Sequence, residues 1–176
     1  MDMEEKKLNS EVVFYGKIMT ITRDKVLTPN GKEAFREILH HNGGAGVLCL
    51  NDKEEVLLIR QFRYAYNEIL YEIPAGKLEL NEDPYDAAKR ELEEETANQA
   101  NKLDFLGVIY PTCGYSNEKI YLYLARNTKI TKTHLDEDEV IVSKFYPFDE
   151  VLMMIKNGEI KDAKTICAIN YYLLNK

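Results

Sequence analysis

Between Glu82 and Glu95 the chain carries seven acids (Glu82, Asp83, Asp86, Glu91, Glu93, Glu94 and Glu95) against two bases, Lys89 and Arg90. Apolar residues recur among them, so the stretch is more than a run of charge. Asp83 can cap a helix by accepting from backbone N–H groups, Pro84 suits the first helical position, and Asp86 favours the positive helix end. These signals predict a helix from Pro84 to Thr96. At 100° per residue, Glu91, Glu94 and Glu95 fall on one face with Ala87 and Ala88, while Asp86, Lys89 and Glu93 point away. Three carboxylates packed together repel one another, and a hard divalent cation, Mg²⁺ or Mn²⁺, would neutralise them. The same spacing also suits a solvated acidic helix, because glutamate is a good helix former and charge runs usually face water.

The elements around this helix must present it. Residues 1 to 10 are polar and predict a frayed arm. Glu11 to Tyr15 and Lys17 to Leu27 are rich in Val, Ile and Thr, and Pro29-Asn30-Gly31 turns the chain into Glu33 to His40, which predicts a β-hairpin region. Such a hairpin can hardly bury both faces alone and asks for a neighbour. Gly43-Gly44-Ala45-Gly46 reads as a hinge: it lacks the Lys-Ser/Thr ending of a phosphate-binding P-loop, and no helix follows it. Val47 to Leu50, Glu55 to Arg60, Gln61 to Tyr66 and Ile69 to Ile73 predict strands, and Pro74-Ala75-Gly76 opens the loop into the acidic helix. After it come strands at Leu103 to Tyr110, Lys119 to Ala125 and Val140 to Tyr146, with an acidic loop at Thr128 to Val140. Two helices are expected, Phe148 to Lys156 and Asp162 to Leu174. A mixed sheet between helices results, in an α/β (α+β) chain with a small N-terminal β-sheet region. The expected division is residues 1–42 for that region and 43–176 for the main domain.

At 176 residues, with 45 % hydrophobic and 30 % charged residues, the composition is that of an ordinary globular chain. A net charge of −7 argues against a protein that lives on nucleic acid or on an anionic membrane and favours a small charged substrate. Cys49, Cys113 and Cys167 are odd in number and scattered, which points away from a disulfide framework or a zinc site and towards a reducing cytoplasm. No apolar run is long enough for a signal core or a membrane span.

The order Gly76, five residues, Glu82, seven residues, then Arg90-Glu91-Leu92-Glu93-Glu94-Glu95 resembles the signature of the Nudix hydrolases, whose fold is an α/β/α sandwich. Two positions depart from that pattern: Ala97 stands where a glycine is expected and Asn98 where an apolar residue is. Asn is the next-best residue for a left-handed turn, so the helix cap is expected to slide to Asn98. Within the family, LLIRQFRYAYNEILYEIPAGKLE, YPTCGYSNEKIYLYLA, LDEDE and NGEIKDAKT resemble the ADP-ribose pyrophosphatases from about residue 11 onward.

That resemblance implies a metal site made of Glu91, Glu94, Glu95 and the carbonyl of Ala75. Gly76, Glu82 and Arg90 would be its structural members, with Arg90 fixing a helix carboxylate. It further implies substrate contacts from Arg36, Arg63 and Glu118, a homodimer, and a general base in the loop His134-Leu135-Asp136-Glu137-Asp138-Glu139. Glu137 is the expected base and Glu139 the alternative or a further ligand. The reaction implied is Mg²⁺-dependent cleavage of ADP-ribose to AMP and ribose 5-phosphate. Cys113 stands where the subfamily usually has a proline in a loop bordering the nucleotide, so hydrolysis of a nucleotide sugar or another nucleoside diphosphate derivative stays open. So does a non-catalytic ADP-ribose-binding regulator.

Overall fold

The computed structural model describes residues 3–133 and 139–176, and its backbone falls into two compact units. The first takes in the residues up to Gly43 together with Tyr110–Lys119. Three antiparallel strands, β1 (Lys6–Tyr15), β2 (Thr20–Leu27) and β3 (Glu33–His40), lie in the order β1-β2-β3. The Pro-Asn-Gly turn joins β2 to β3 as its residue types predict, with Gly31 at φ 78. The expected frayed arm is overturned from Lys6 onward: Lys6 pairs with Leu27 and the strand runs to Tyr15, with bulges after Lys7 and Val12. Its side chains are exposed along the whole length, so no alternation marks it, and backbone pairing to β2 is what orders it. Segment Tyr110–Lys119 docks on the end of β3, where the Leu39 N–H donates to the Tyr115 carbonyl at 2.7 Å and the Asn117 N–H to the Leu39 carbonyl at 3.2 Å.

The second unit holds Gly44–Ile109 and Ile120–Lys176. Its sheet is built on β4 (Gly44–Leu50), β5 (Glu55–Arg63), β9 (Leu103–Ile109), β10 (Ile120–Arg126) and β12 (Ile141–Pro147), in the order β12-β5-β4-β10-β9. Only β4 and β10 run parallel along this path, so the sheet is mixed. Two short strands, β6 (Glu68–Glu72) and β7 (Ala75–Lys77), fill the gap where β4 and β5 diverge, β6 on β5 and β7 on β4. A separate two-residue pair, β8 (Asn98–Gln99) with β11 (Lys129–Ile130), follows the acidic helix.

Successive side chains of a strand point to opposite faces, and both faces are covered here. Leu48 and Leu50 of β4 and Val56 and Leu58 of β5 join one core with α2 (Phe148–Lys156) and α3 (Ala163–Leu174). Val47 and Cys49 of β4 with Leu57 of β5 join a second core under α1 (Pro84–Thr96). The result is the expected α/β/α sandwich. Both of its layers depend on β4, whose seven residues are all buried. The glycine cluster is therefore no hinge: Gly44 and Gly46 lie inside β4. A Cβ at Gly44 would meet the Gly76 carbonyl oxygen at 3.0 Å, and one at Gly46 the Ile73 side chain at 3.2 Å. Among the described residues no helix is long and apolar enough to cross a membrane.

Candidate active site

Helix α1 begins as its sequence dictates. Asp83 accepts the Tyr85 N–H at 2.8 Å, and Pro84 follows at the first helical position. Its end differs from expectation. Ala97, not Asn98, takes the left-handed conformation (φ 56, ψ 20), and its N–H closes the helix on the Glu93 carbonyl at 2.9 Å. Asn98 is buried and its amide is used differently: Nδ2 donates to the Thr96 carbonyl at 2.8 Å, while Oδ1 accepts from the Thr128 hydroxyl at 2.9 Å. An alanine there costs about 1–2 kcal/mol of backbone strain, which the small Cβ keeps tolerable.

Glu82, Arg90, Glu91 and Glu94 meet in one network. The Arg90 guanidinium donates to Glu82 at 2.9 and 3.1 Å, to Glu91 at 2.8 Å and to Glu94 at 3.0 Å. Glu82 also accepts the Glu79 N–H at 2.8 Å. Its bonds with Arg90 hold the Glu82 carboxyl below the usual range. Gly76 faces this cluster so closely that a Cβ there would lie 1.9 Å from the Glu91 carboxylate.

Glu95 lies deeper, with 5 % of its surface exposed, and accepts the Ala75 N–H at 2.9 Å. Burial pushes its carboxyl up to about 8 against the help of that bond, and the charges of Glu91 and Glu139 add to the rise. Glu91 is raised as well, chiefly by burial and against the pull of Arg90, with Glu94 and Glu139 contributing. Arg90 bonds to Glu82, Glu91 and Glu94, and the charge of Lys164 only partly offsets the burial of Glu95. Among the described residues no three His, Cys, Asp or Glu side chains are gathered into a preformed cation site. The donor set nonetheless fits a hard divalent cation, since its side-chain oxygens are all carboxylate and burial disfavours the charge of Glu91 and Glu95.

The remaining predicted residues belong to both units. Arg63 is turned onto Glu72, donating from Nε at 2.6 Å and from one Nη at 2.7 Å. In the N-terminal unit, Arg36 donates to both carboxylate oxygens of Glu5, from Nε at 3.0 Å, and to its neighbour's carbonyl. Glu118 stands 3.5 Å from His41 Nδ1 in the same unit. Glu139 leads into β12, and its charge reaches Glu91 and Glu95. Glu137 lies outside the described residues.

Sequence reasoning missed Glu72, which is only 1 % exposed. Burial opposes its charge, but Arg63 and Lys164 outweigh that and hold the carboxyl below the usual range. Lys164 also reaches Asp162, the N-cap of α3, at 3.0 Å. A signal was present: a lone acid inside the apolar run ILYEI, at an inward strand position, has to be paired.

The comparisons agree with this layout. The NUDIX domain matches residues 40–169, and the nucleoside diphosphate sugar hydrolase N-terminal domain matches residues 5–39. An ADP-ribose pyrophosphatase of Bacillus subtilis (strain 168) is 37 % identical over 99 % of this chain and 95 % of its own length. A methanol dehydrogenase activator of Bacillus methanolicus is 36 % identical over 98 % of this chain and 95 % of its own. The crystal structure of an ADP compounds hydrolase superposes with a TM-score of 0.86, covering 99 % of this chain and 95 % of that one at 21 % identity, which speaks for the fold. With the glycine, arginine and glutamates of the acidic helix in place and the sandwich around them, the chain belongs to the Nudix hydrolase family.

Proposed function

We propose that the chain hydrolyses the pyrophosphate bond of ADP-ribose to AMP and ribose 5-phosphate. The observation that carries this reading is the near full-length match to an ADP-ribose pyrophosphatase, combined with an acidic helix that keeps every carboxylate of the set. Glu91, Glu94, Glu95 and the Ala75 carbonyl would hold a divalent cation, Mg²⁺ or in its place Mn²⁺. Bound there, such an ion supplies positive charge to the pyrophosphate oxygens.

The chain's own residues do the rest. A water oxygen bonds to one phosphorus as the bridging P–O bond breaks, and the water proton passes to a carboxylate of the 134–139 loop, which we assign to Glu137 with Glu139 as the alternative. Arg63 is held by Glu72 through two of its five N–H groups and offers its positive charge to the substrate phosphates; Arg36 and Glu118 are assigned to the nucleotide side. Arg90 sets the rotamers of Glu91 and Glu94.

Gly76→Ala tests the cradle. The nearest atoms to its Cβ would be those at the far end of the flexible Glu91 side chain, so melting temperature should stay close to wild type. Displacement of that carboxylate should lower turnover on the order of 10-fold. A fully active variant would show that the position of Glu91 is immaterial.

The match of residues 5–39 favours, as a second reading, a nucleotide sugar as substrate. A panel of ADP-ribose, nucleotide sugars and other nucleoside diphosphates with Mg²⁺, read by AMP or phosphate release, separates the two. ADP-ribose should lead; binding without hydrolysis across the panel would favour a regulator instead. We further propose a homodimer, because the exposed apolar side chains Val12, Phe14 and Phe35 of the N-terminal sheet call for a covering surface. Light scattering should give twice the chain mass of 20.4 kDa, and a monomer that still turns over would reject this. The free thiols Cys49, Cys113 and Cys167 support a reducing compartment, the cytoplasm.

A further inference from the structure

We infer that Thr165, on α3, is a positioning residue for the acidic site, acting through the corner of chain between β6 and β7. The inference rests on the hydrolase reading above. Thr165 is fully buried. Its hydroxyl donates to the Asp162 carboxylate at 2.5 Å and accepts the Ile73 N–H at 2.8 Å, while the same Asp162 oxygen accepts the Thr165 N–H at 2.9 Å. Two residues past Ile73, the Ala75 N–H donates to Glu95. Between them the Pro74 carbonyl accepts the Val47 N–H at 2.9 Å. The corner is thus pinned from three sides: by α3, by β4 and by the carboxylate face of α1.

Proline removes one N–H from this corner, so the register in which Ala75 and Gly76 face the glutamates depends on the few backbone bonds left. Thr165 supplies the bond nearest in sequence that comes from outside the sheet and the acidic helix. A valine would fill the same volume without the cost of burying a hydroxyl, so the hydroxyl's presence is explained by the N–H it receives and the carboxylate it is tied to. The neighbouring residue repeats the connection. Lys164 binds Glu72, one residue before Ile73, and Asp162, so the first turn of α3 grips two consecutive residues at the entrance to the corner. Loss of the Thr165 hydroxyl frees the Ile73 N–H and lets residues 73 to 75 shift, carrying the Ala75 carbonyl and the Glu95 partner with them.

The test compares Thr165→Val, which keeps volume and loses the hydroxyl, with Thr165→Ser, which keeps the hydroxyl and loses a buried methyl. In the full chain, Thr165→Val should lower kcat on the order of 10-fold to 10²-fold while KM changes by less than about threefold, as expected when geometry and not ground-state binding is lost. Thr165→Ser should recover kcat to within about threefold of wild type even where its melting temperature is no higher than that of Thr165→Val. A purely structural role would make activity follow melting temperature. Titration with Mn²⁺ alone, followed by the paramagnetic resonance of the free ion, supplies a readout without substrate: affinity should fall in Thr165→Val and be kept in Thr165→Ser. Where turnover is measurable the kcat comparison decides, and Thr165→Val within about twofold of wild type, or Thr165→Ser as slow as Thr165→Val, overturns the inference. Should the wild-type chain hydrolyse nothing in the panel, the hydrolase reading fails and the Mn²⁺ comparison alone decides the positioning role, equal affinities overturning it.

Discussion

Glu95→Gln is expected to fold and to lose at least about 10²-fold in turnover at saturating Mg²⁺, and Glu94→Gln to behave alike. Glutamine has a similar helix propensity, and its side-chain oxygen can still accept the Ala75 N–H, so what the first variant removes is charge. Stability should move the other way. A carboxyl whose folded pKa is raised to about 8 contributes stability that is fully present below the ordinary carboxylate value and is lost as pH rises through about 8. Glu95→Gln cannot titrate there. With chelator present, its melting temperature should therefore gain on wild type as pH rises across that window and level off above it. Glu93→Gln is the control: Glu93 lies off the cluster, accepting from the Gln99 amide at 3.1 and 3.2 Å, and its loss should change turnover little. Near-normal activity in both Glu94→Gln and Glu95→Gln would remove the acidic helix from the mechanism.

The second large effect is expected from the loop glutamates. If Glu137 takes the water proton, Glu137→Gln should bind ADP-ribose in the presence of metal about as well as wild type and turn it over about 10²–10⁴-fold more slowly, the usual reach of general-base catalysis. The helix carboxylates are poor candidates because the proposed ion would occupy them. Glu139 already adds its charge to those of Glu91 and Glu95, so Glu139→Gln should lower the pKa of both and weaken metal dependence more than binding of the nucleotide. Measuring turnover and binding separately for each variant distinguishes the roles. Should neither substitution slow the reaction, the base is to be sought on α1.

What was legible in the sequence was local. The boundaries and N-cap of α1, the boundaries of α2 and the Asp162 start of α3 were readable because caps, proline and apolar periodicity act within a few residues. That Glu91, Glu94 and Glu95 share one side of α1 followed from helical geometry alone. Three features were not readable. β1 is ordered by pairing with β2 and carries no burial pattern of its own. Gly44 and Gly46 look like a break until the close approach of Gly76 and Ile73 to β4 is seen. The grip of Lys164 and Thr165 on Glu72 and Ile73 spans ninety-odd residues, and nothing short of the fold brings those partners together. The Ala97 cap was misread for the opposite reason: local propensity favoured Asn98, but Asn98 was already engaged by Thr96 and Thr128.

That long span also sets an order in time. A chain emerging from the ribosome at about 5–20 residues per second presents the acidic helix seconds before α3 exists. During that interval Ile73 has no hydroxyl to receive its N–H and Glu72 no lysine beside it, so the corner that faces the glutamates is still unpinned. The carboxylate cluster is therefore assembled early as chemistry and late as geometry: its groups are set by a helix made midway along the chain, and its shape is completed by one that is synthesised afterwards.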